Sequence, residues 1–295
     1  MHRQTLDLVD TALAPETRKA YSRAWDRYCK FAHAFGLPTS LPLETDHVSC
    51  FLTNLYNEGL PASSITSILS ALSYFHKIKS IFDPTQAFII RKQLVAINKQ
   101  RPSSDKREPM SEELLFSILD RLEKLNFSQF ECTLFQAMFL MAFYFGLRVG
   151  EITASKHNIL LDQIKLHSNS LTLSFGSFKH SNLNPGPPHT ISSNGTRFCT
   201  VEVLANYLKI RGRAEGPLFL LNNKPVPAAL FNSRFKNLVQ LVGRNPKHFS
   251  SHSFRIGAAT FWANKGHSDV QIRRLGRWRS EAMISYLRGS VHHTS

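Results

Sequence analysis

The sequence predicts a mostly helical chain of the α+β class: a helical first unit, then a larger unit of helices with a small antiparallel sheet. Three observations predict it. Aromatic and apolar residues recur at helical spacing through the first third. A polar stretch with two prolines, "NKQRPSSDKREPM" (98–110), then interrupts the pattern. Beyond it, helical patterns flank an alternating run, "SLTLSF", in which Leu171, Leu173 and Phe175 share one face of an extended strand. A chain of 295 residues also reaches the size, about 250–300 residues, at which single cores stop growing.

In chain order, "TRKAYSRAWDRYCKFAHAFG" puts Tyr21, Trp25, Tyr28 and Phe31 at helical spacing and closes at Gly36. Asp46 is placed to cap a second helix, Ser63 or Ser64 to start a third, and Asp83-Pro84 to start a fourth. Residues 1–98 are thus predicted as a helical domain, 99–110 as a linker and 111–295 as a second domain. Ser111, with Glu112 and Glu113 behind it, has the residues of a capped helix start. "LFQAMFLMAFYFGL" (134–147) is apolar on every side and ends near Gly146. It is too short for a membrane span and predicts a buried core helix. "NLNPGPPHTIS" predicts a loop into another short strand. Helical patterns return in "TVEVLANYLKIRG", in "AALFNSRFKNLVQLVG" and from His252 onward.

The formal net charge of +15 points to a polyanionic partner, nucleic acid before membrane. The charge is uneven. Residues 1–98 carry 10 Lys+Arg against 8 Asp+Glu, whereas residues 224–295 carry 12 against 2. Cys29, Cys50, Cys132 and Cys199 are scattered, without the CxxC spacing of a zinc site, and predict reduced thiols in an intracellular protein. The start, "MHRQTLDLVD", lacks the apolar core of a secretory leader.

Several hydrolytic motifs are missing: HExxH, GxSxG and the phosphate-cradling GxxxxGK[ST]. No acidic cluster suggests a Mg²⁺ site. Chemistry on phosphates would therefore fall to cationic side chains, without metal or cofactor. Arg148 follows the apolar core run in "GLRVGEI", and alone is as well explained by an ion pair with Glu151. Lys179 stands at the end of the predicted strand, where a surface lysine is ordinary. His252 and Arg255 share a helix face in "SHSFRIGAATFW", a pairing that chance also produces. Tyr286, in "SEAMISYLRG", is alone a helix tyrosine packed by its ring.

Taken in order, Arg148, Lys179, His252-x-x-Arg255 and Tyr286 resemble the tyrosine recombinase (phage integrase) family over nearly the whole chain. "GLRVGEI" resembles its first arginine box, "HSFR" its His-x-x-Arg box and "LGRWRSEAMISYL" its glycine-to-tyrosine box. The wording "GRW…Y" resembles recombinases of eukaryotic mobile elements of the DIRS-like and Crypton groups. The resemblance implies a SAM-like core-binding domain at 1–98 and a catalytic domain at 111–295. It implies a site-specific recombinase or integrase in which Tyr286 attacks a DNA phosphodiester to leave a 3′-phosphotyrosine. Arg148 and Arg255 would grip the non-bridging oxygens, Lys179 would protonate the leaving 5′ oxygen, and His252 would bind the phosphate and assist proton transfer. Glu151 would orient the site. Arg277 stands where the family has His or Trp, nine residues before the tyrosine, and is expected to donate to a phosphate oxygen, with Trp278 packed beneath the site or, after a small helix shift, in the place of the missing group. Arg273, Arg274 and Arg279 would contact DNA near the tyrosine, and Arg18, Lys19, Arg23 and Arg27 would contact it from the first domain. The partner implied is double-stranded DNA, bound by a homodimer that becomes a tetramer at synapsis. The place implied is inside the cell with DNA, away from membranes, and the nucleus for a eukaryotic source. A type IB topoisomerase and a non-catalytic DNA-binding protein on a degenerate recombinase fold are the alternatives. Finally, "GAAT" (257–260) predicts close packing of the His252 helix against its neighbours.

Overall fold

A computed structural model describes residues 12–101, 107–125, 127–176 and 187–278. The chain divides into two compact units, Met1–Asp105 and Lys106–Ser295. It is mostly helical, with small antiparallel sheets confined to the second unit.

In the first unit, α1 (Pro15–Ala34), α2 (Thr45–Asn57), α3 (Ala62–Ile78) and α4 (Phe88–Gln100) bury one apolar face each. Tyr28 and Phe31 of α1 meet Phe51 of α2 at ring separations of 5.3 and 5.1 Å. Gly36, at φ +64°, turns the chain out of α1. Helix starts differ from the expectation in detail. Asp46 lies within the first turn of α2, where its charge still suits the positive end of the helix. The third helix begins at Ala62, because Pro61 at φ −63° already sets the entry and leaves Ser63 and Ser64 inside it. Asp83 caps a short 3₁₀ turn, accepting from the Thr85 N–H at 3.1 Å, and α4 begins only at Phe88. His76 is fully buried but satisfied: Nε2 accepts from the Leu43 N–H at 3.0 Å, so Nδ1 carries the proton it gives to the Leu72 carbonyl at 2.7 Å.

The second unit is built around α6 (Gln129–Tyr144), which follows α5 (Glu112–Glu123) and is buried at every position from Thr133 to Tyr144. Its start is fixed by a capping box between Ser128 and Glu131. Ser111 caps α5 as expected, accepting from the Leu114 N–H at 3.2 Å. After α7 (Val149–Ile152), strands β1 (Ile164–Leu166), β2 (Ser170–Leu173) and β3 (His189–Ser192) form an antiparallel sheet in the order β1-β2-β3. Leu171 and Leu173 face the core, paired with Ile191 and His189. Next come α8 (Thr200–Arg211), a two-residue ribbon of β4 (Leu220–Leu221) and β5 (Lys224–Pro225), and α9 (Ala228–Leu241). The last described elements are α10 (Ser251–Asn264) and α11 (Asp269–Leu275).

Two features set α10 against the core. Phe254 stacks on Phe139 of α6 at 5.7 Å and packs on Phe235 of α9 at 4.7 Å. Gly257 lets the residues before α5 lie on the helix: a Cβ there would stand 1.9 Å from the Met110 carbonyl oxygen. The same segment is tied by Glu108 N–H to His248 O at 2.8 Å and Met110 N–H to Ser253 O at 3.0 Å. Of the stretch read from sequence as linker, residues 99–100 thus continue α4 and 108–110 are built into the second unit. Among the described residues no helix is long and apolar enough to cross a membrane.

Candidate active site

Two helix ends create the setting. Helix α6 stops in a double turn, with the Gly146 N–H bonded to Phe143 O at 3.1 Å and the Leu147 N–H to Ala142 O at 3.0 Å. Gly146 takes the left-handed position at φ +54°, where a Cβ would also meet the Trp262 ring at 2.7 Å. This turn delivers Arg148 to the N-cap of α7. Helix α11 ends in the same way: Arg277 N–H bonds Arg274 O at 3.2 Å and Trp278 N–H bonds Arg273 O at 3.0 Å. Here the left-handed position, φ +55°, belongs to Arg277 rather than to a glycine.

Arg255 lies between the two turns. It is 2% exposed, and its guanidinium donates to the Gly146 carbonyl on one side and to the Gly276 carbonyl, at 2.8 Å, on the other. The Trp278 ring covers it at 4.5 Å. That ring leaves no room for a side chain at position 276, since a Cβ on Gly276 would stand 1.5 Å from it.

Glu151 is the anionic centre. Its carboxylate accepts from the Arg148 backbone N–H at 2.7 Å, from Arg148 Nη1 at 3.2 Å and from Arg277 Nη2 at 2.7 Å. Burial opposes its charge, but Arg277, the Arg148 backbone N–H, and the Arg148 and Arg255 guanidiniums outweigh burial and hold the carboxyl below its ordinary range. Burial likewise lowers Arg277, with Glu151 opposing. Among the described residues three guanidiniums, two of them bonded to it, thus face one carboxylate, an excess of positive charge suited to an anion.

Arg148, Glu151, His252, Arg255 and Trp278 line a single cleft of about 360 Å³, with Ser251, Val149, Gly150 and His157 completing its wall. The structure thus brings Arg148, His252 and Arg255 together from elements more than 100 residues apart. It places Arg277 differently from the expectation. The Arg277 side chain is 2% exposed, paired with Glu151 and laid 3.8 Å over the Phe175 ring, with Nη1 donating to Phe145 O and Leu275 O at 3.4 and 3.2 Å. The physical reason is the left-handed turn, which points this side chain into the protein and leaves Trp278 at the cleft wall, the position of a residue that takes the missing group's place. His157 was not singled out from the sequence, because "SKHNIL" has neither helical nor strand periodicity to mark it. Lys179, on the connection between β2 and β3, and Tyr286 and Arg279 lie outside the described residues. Among the described residues no three His, Cys, Asp or Glu side chains are grouped to hold a metal ion.

The other basic positions are on surfaces. Arg18, Lys19, Arg23 and Arg27 are exposed on α1. Lys19 pairs with Glu16 at 3.3 Å and Arg27 with Glu58, while Arg18 donates to the Leu13 carbonyl at 3.3 Å. Arg23 and Arg27 line a groove of the first unit together with Lys30. Arg273 and Arg274 are exposed in the last turn of α11, where their charge suits the negative helix end.

Residues 6–80 match the family model "Phage integrase, N-terminal SAM-like domain". Tyrosine recombinase XerC of Bacillus pumilus (strain SAFR-032) is 28% identical over 276 residues, covering 88% of this chain and 81% of that protein. The XerH site-specific recombinase in a post-cleavage complex with palindromic difH superposes with a TM-score of 0.69 at 14% identity, over 91% of this chain and 75% of that one. A lambda integrase dimer bound to a COC′ core site gives 0.63 at 18% identity, over 97% and 76%. The fold is that of the integrases and site-specific recombinases. The matched first domain and the XerC similarity along most of its length make the chain similar to the tyrosine recombinases in sequence as well as in fold.

Proposed function

We propose that this chain is a site-specific DNA recombinase that cuts and rejoins strands through a covalent 3′-phosphotyrosine at Tyr286. The observation that carries the reading is the cleft in which Arg148, His252 and Arg255 converge around one buried carboxylate. In this reading the Tyr286 oxygen attacks the scissile phosphorus and the bond to the 5′ oxygen breaks. Lys179 supplies the proton that the departing 5′ oxygen takes up, and His252 accepts or returns the tyrosine proton. Arg148 and Arg255 neutralise the charge that grows on the non-bridging oxygens. Attack by a 5′-hydroxyl of a partner strand reverses the steps, so one ester replaces another and neither ATP nor metal is called for. Exposed Arg273 and Arg274, Arg279, and the α1 cations Arg18, Lys19, Arg23 and Arg27 would hold duplex DNA by its phosphates. Residues 1–98 would serve as the core-binding domain and 111–295 as the catalytic domain. Dimers on a site, tetramers at synapsis and a mobile-element source, nuclear if eukaryotic, complete the reading. It is supported by the DNA-bound relatives and by the GRW wording.

The test uses nicked duplexes recovered from a randomised pool by their covalent capture on the wild-type chain. An SDS-resistant adduct is expected in EDTA and is expected to vanish in Tyr286→Phe. No adduct from any duplex, or an adduct that survives Tyr286→Phe, removes the catalytic reading. One observation favours a second reading, a DNA-binding protein that no longer cleaves: Arg277 is buried where the family places a phosphate-facing His or Trp. That reading predicts DNA binding with no adduct.

A further inference from the structure

The two turns around Arg255 are laced together by consecutive carbonyls. Phe145 O and Gly146 O accept from Arg277 and Arg255, and Gly276 O and Arg277 O accept from Arg255 and Arg148. The last of these bonds, Arg148 Nη2 to Arg277 O, spans 3.3 Å. Arg148 and Arg277 are therefore each held from the opposite turn, and Arg255 from both. A residue in the left-handed conformation, φ +55°, allows the oxygens of 276 and 277 to serve two different arginines. That conformation is unfavourable for a non-glycine residue, and here the Arg277 side chain is engaged with Glu151 and with the Phe145 and Leu275 carbonyls. The Arg277 side chain is 2% exposed and its charge is matched by Glu151 at 2.7 Å. It has no path to a phosphate in the cleft.

We propose that Arg277 is a positioning residue for the cleavage reaction, setting Arg148 and Arg255 rather than touching DNA. The inference rests on the recombinase reading above. Two routes carry the effect. By occupying one Glu151 oxygen, Arg277 limits how strongly that carboxylate competes with a phosphate for Arg148. By its backbone oxygen and that of Gly276, the turn it occupies holds both guanidiniums at fixed angles. A bound phosphate then meets two donors that need no rearrangement, which is where a small displacement costs most rate. The reaction keeps the positioning of its arginines although the residue nine before the tyrosine has left the phosphate.

The test is single-turnover adduct formation on the selected nicked duplex by Arg277→Gly, which keeps a left-handed backbone but removes the guanidinium. Duplex binding in a gel shift is expected within about twofold of wild type, with cleavage slower by roughly 10- to 100-fold, the scale for losing a partner that orients a site residue. In an Arg148→Ala background the same substitution is expected to cost much less, because the arginine it acts through is already gone. Wild-type cleavage by Arg277→Gly overturns the proposal. So does a full, additive loss in the Arg148→Ala background, which is the result for a direct phosphate ligand. If Arg277→Gly fails to fold, the Arg277→Gly/Glu151→Gln double variant carries the same comparison with both buried charges removed. Absence of adduct from the wild-type chain itself sinks the recombinase reading and this inference with it.

Discussion

Glu151 answers three guanidiniums with one carboxylate, and this inequality makes the cleft receptive to an anion. His189 shows the same field from outside the cleft. It is buried on β3 between the Phe145 and Trp262 rings, at 4.8 and 5.9 Å. Burial first, then the Arg277 and His267 charges, push it down to about 4 from 6.5. The neutral ring is the folded form. Between pH 6.5 and 4 the unfolded chain takes up a proton that the folded chain refuses, so this group removes stability as pH falls, by roughly 3 kcal/mol in all. His189→Asn is expected to flatten the fall of unfolding free energy across that window, followed by urea melts at stepped pH. An unchanged slope would remove His189 from the acid response. At this scale sequence order and spacing were enough to single out Arg148, His252 and Arg255, which carry recognisable neighbours and line one cleft in the structure. They were not enough to orient Arg277, because nothing in "LGRW" announces that the arginine, and not the glycine beside it, takes the left-handed conformation.

Among the elements, α10 depends on closeness. The run "GAAT" predicts a tight face, and the structure shows Gly257 against the backbone at Met110 while Ala258 and Ala259 pack with Ile272 of α11. A methyl at Gly257 overlaps a carbonyl that is itself held by two hydrogen bonds of its segment, Glu108 to His248 and Met110 to Ser253. Gly257→Ala is expected to lower stability by about 1–3 kcal/mol, the range for overpacking a filled core. Thermal unfolding measures it, and a melting temperature equal to wild type would contradict the contact. Long elements with continuous or periodic apolar residues, such as α1 and α6, were legible because their burial repeats along the sequence. The β4–β5 ribbon was not, since two residues per strand are too few to show alternation. Helix starts slipped where a proline entry or a 3₁₀ turn replaced the side-chain cap that the residues could have supplied.

Over the whole molecule the dominant fact is charge: residues 99–295 hold 26 Lys+Arg against 13 Asp+Glu. Binding to duplex DNA is expected to weaken steeply with salt. Six phosphate contacts correspond to a loss of roughly 10³-fold between 50 and 200 mM. Fluorescence anisotropy with a labelled random-sequence duplex reads this directly, and a flat response would rule out phosphate-backbone binding. The division into a helical unit and an α+β unit was readable from composition, because a proline-bearing polar stretch separates two differently patterned halves. Its edges were not readable, since Met110 is an apolar residue inside a hydrophilic run. The carbonyls that latch Arg255 and Arg148 belong to residues 276 and 277, downstream of α10. A chain that stops after α10 lacks this latch and the Trp278 wall of the cleft. On the recombinase reading, a chain that stops before these residues lacks both the latch and Tyr286, and is expected to bind DNA without cutting it.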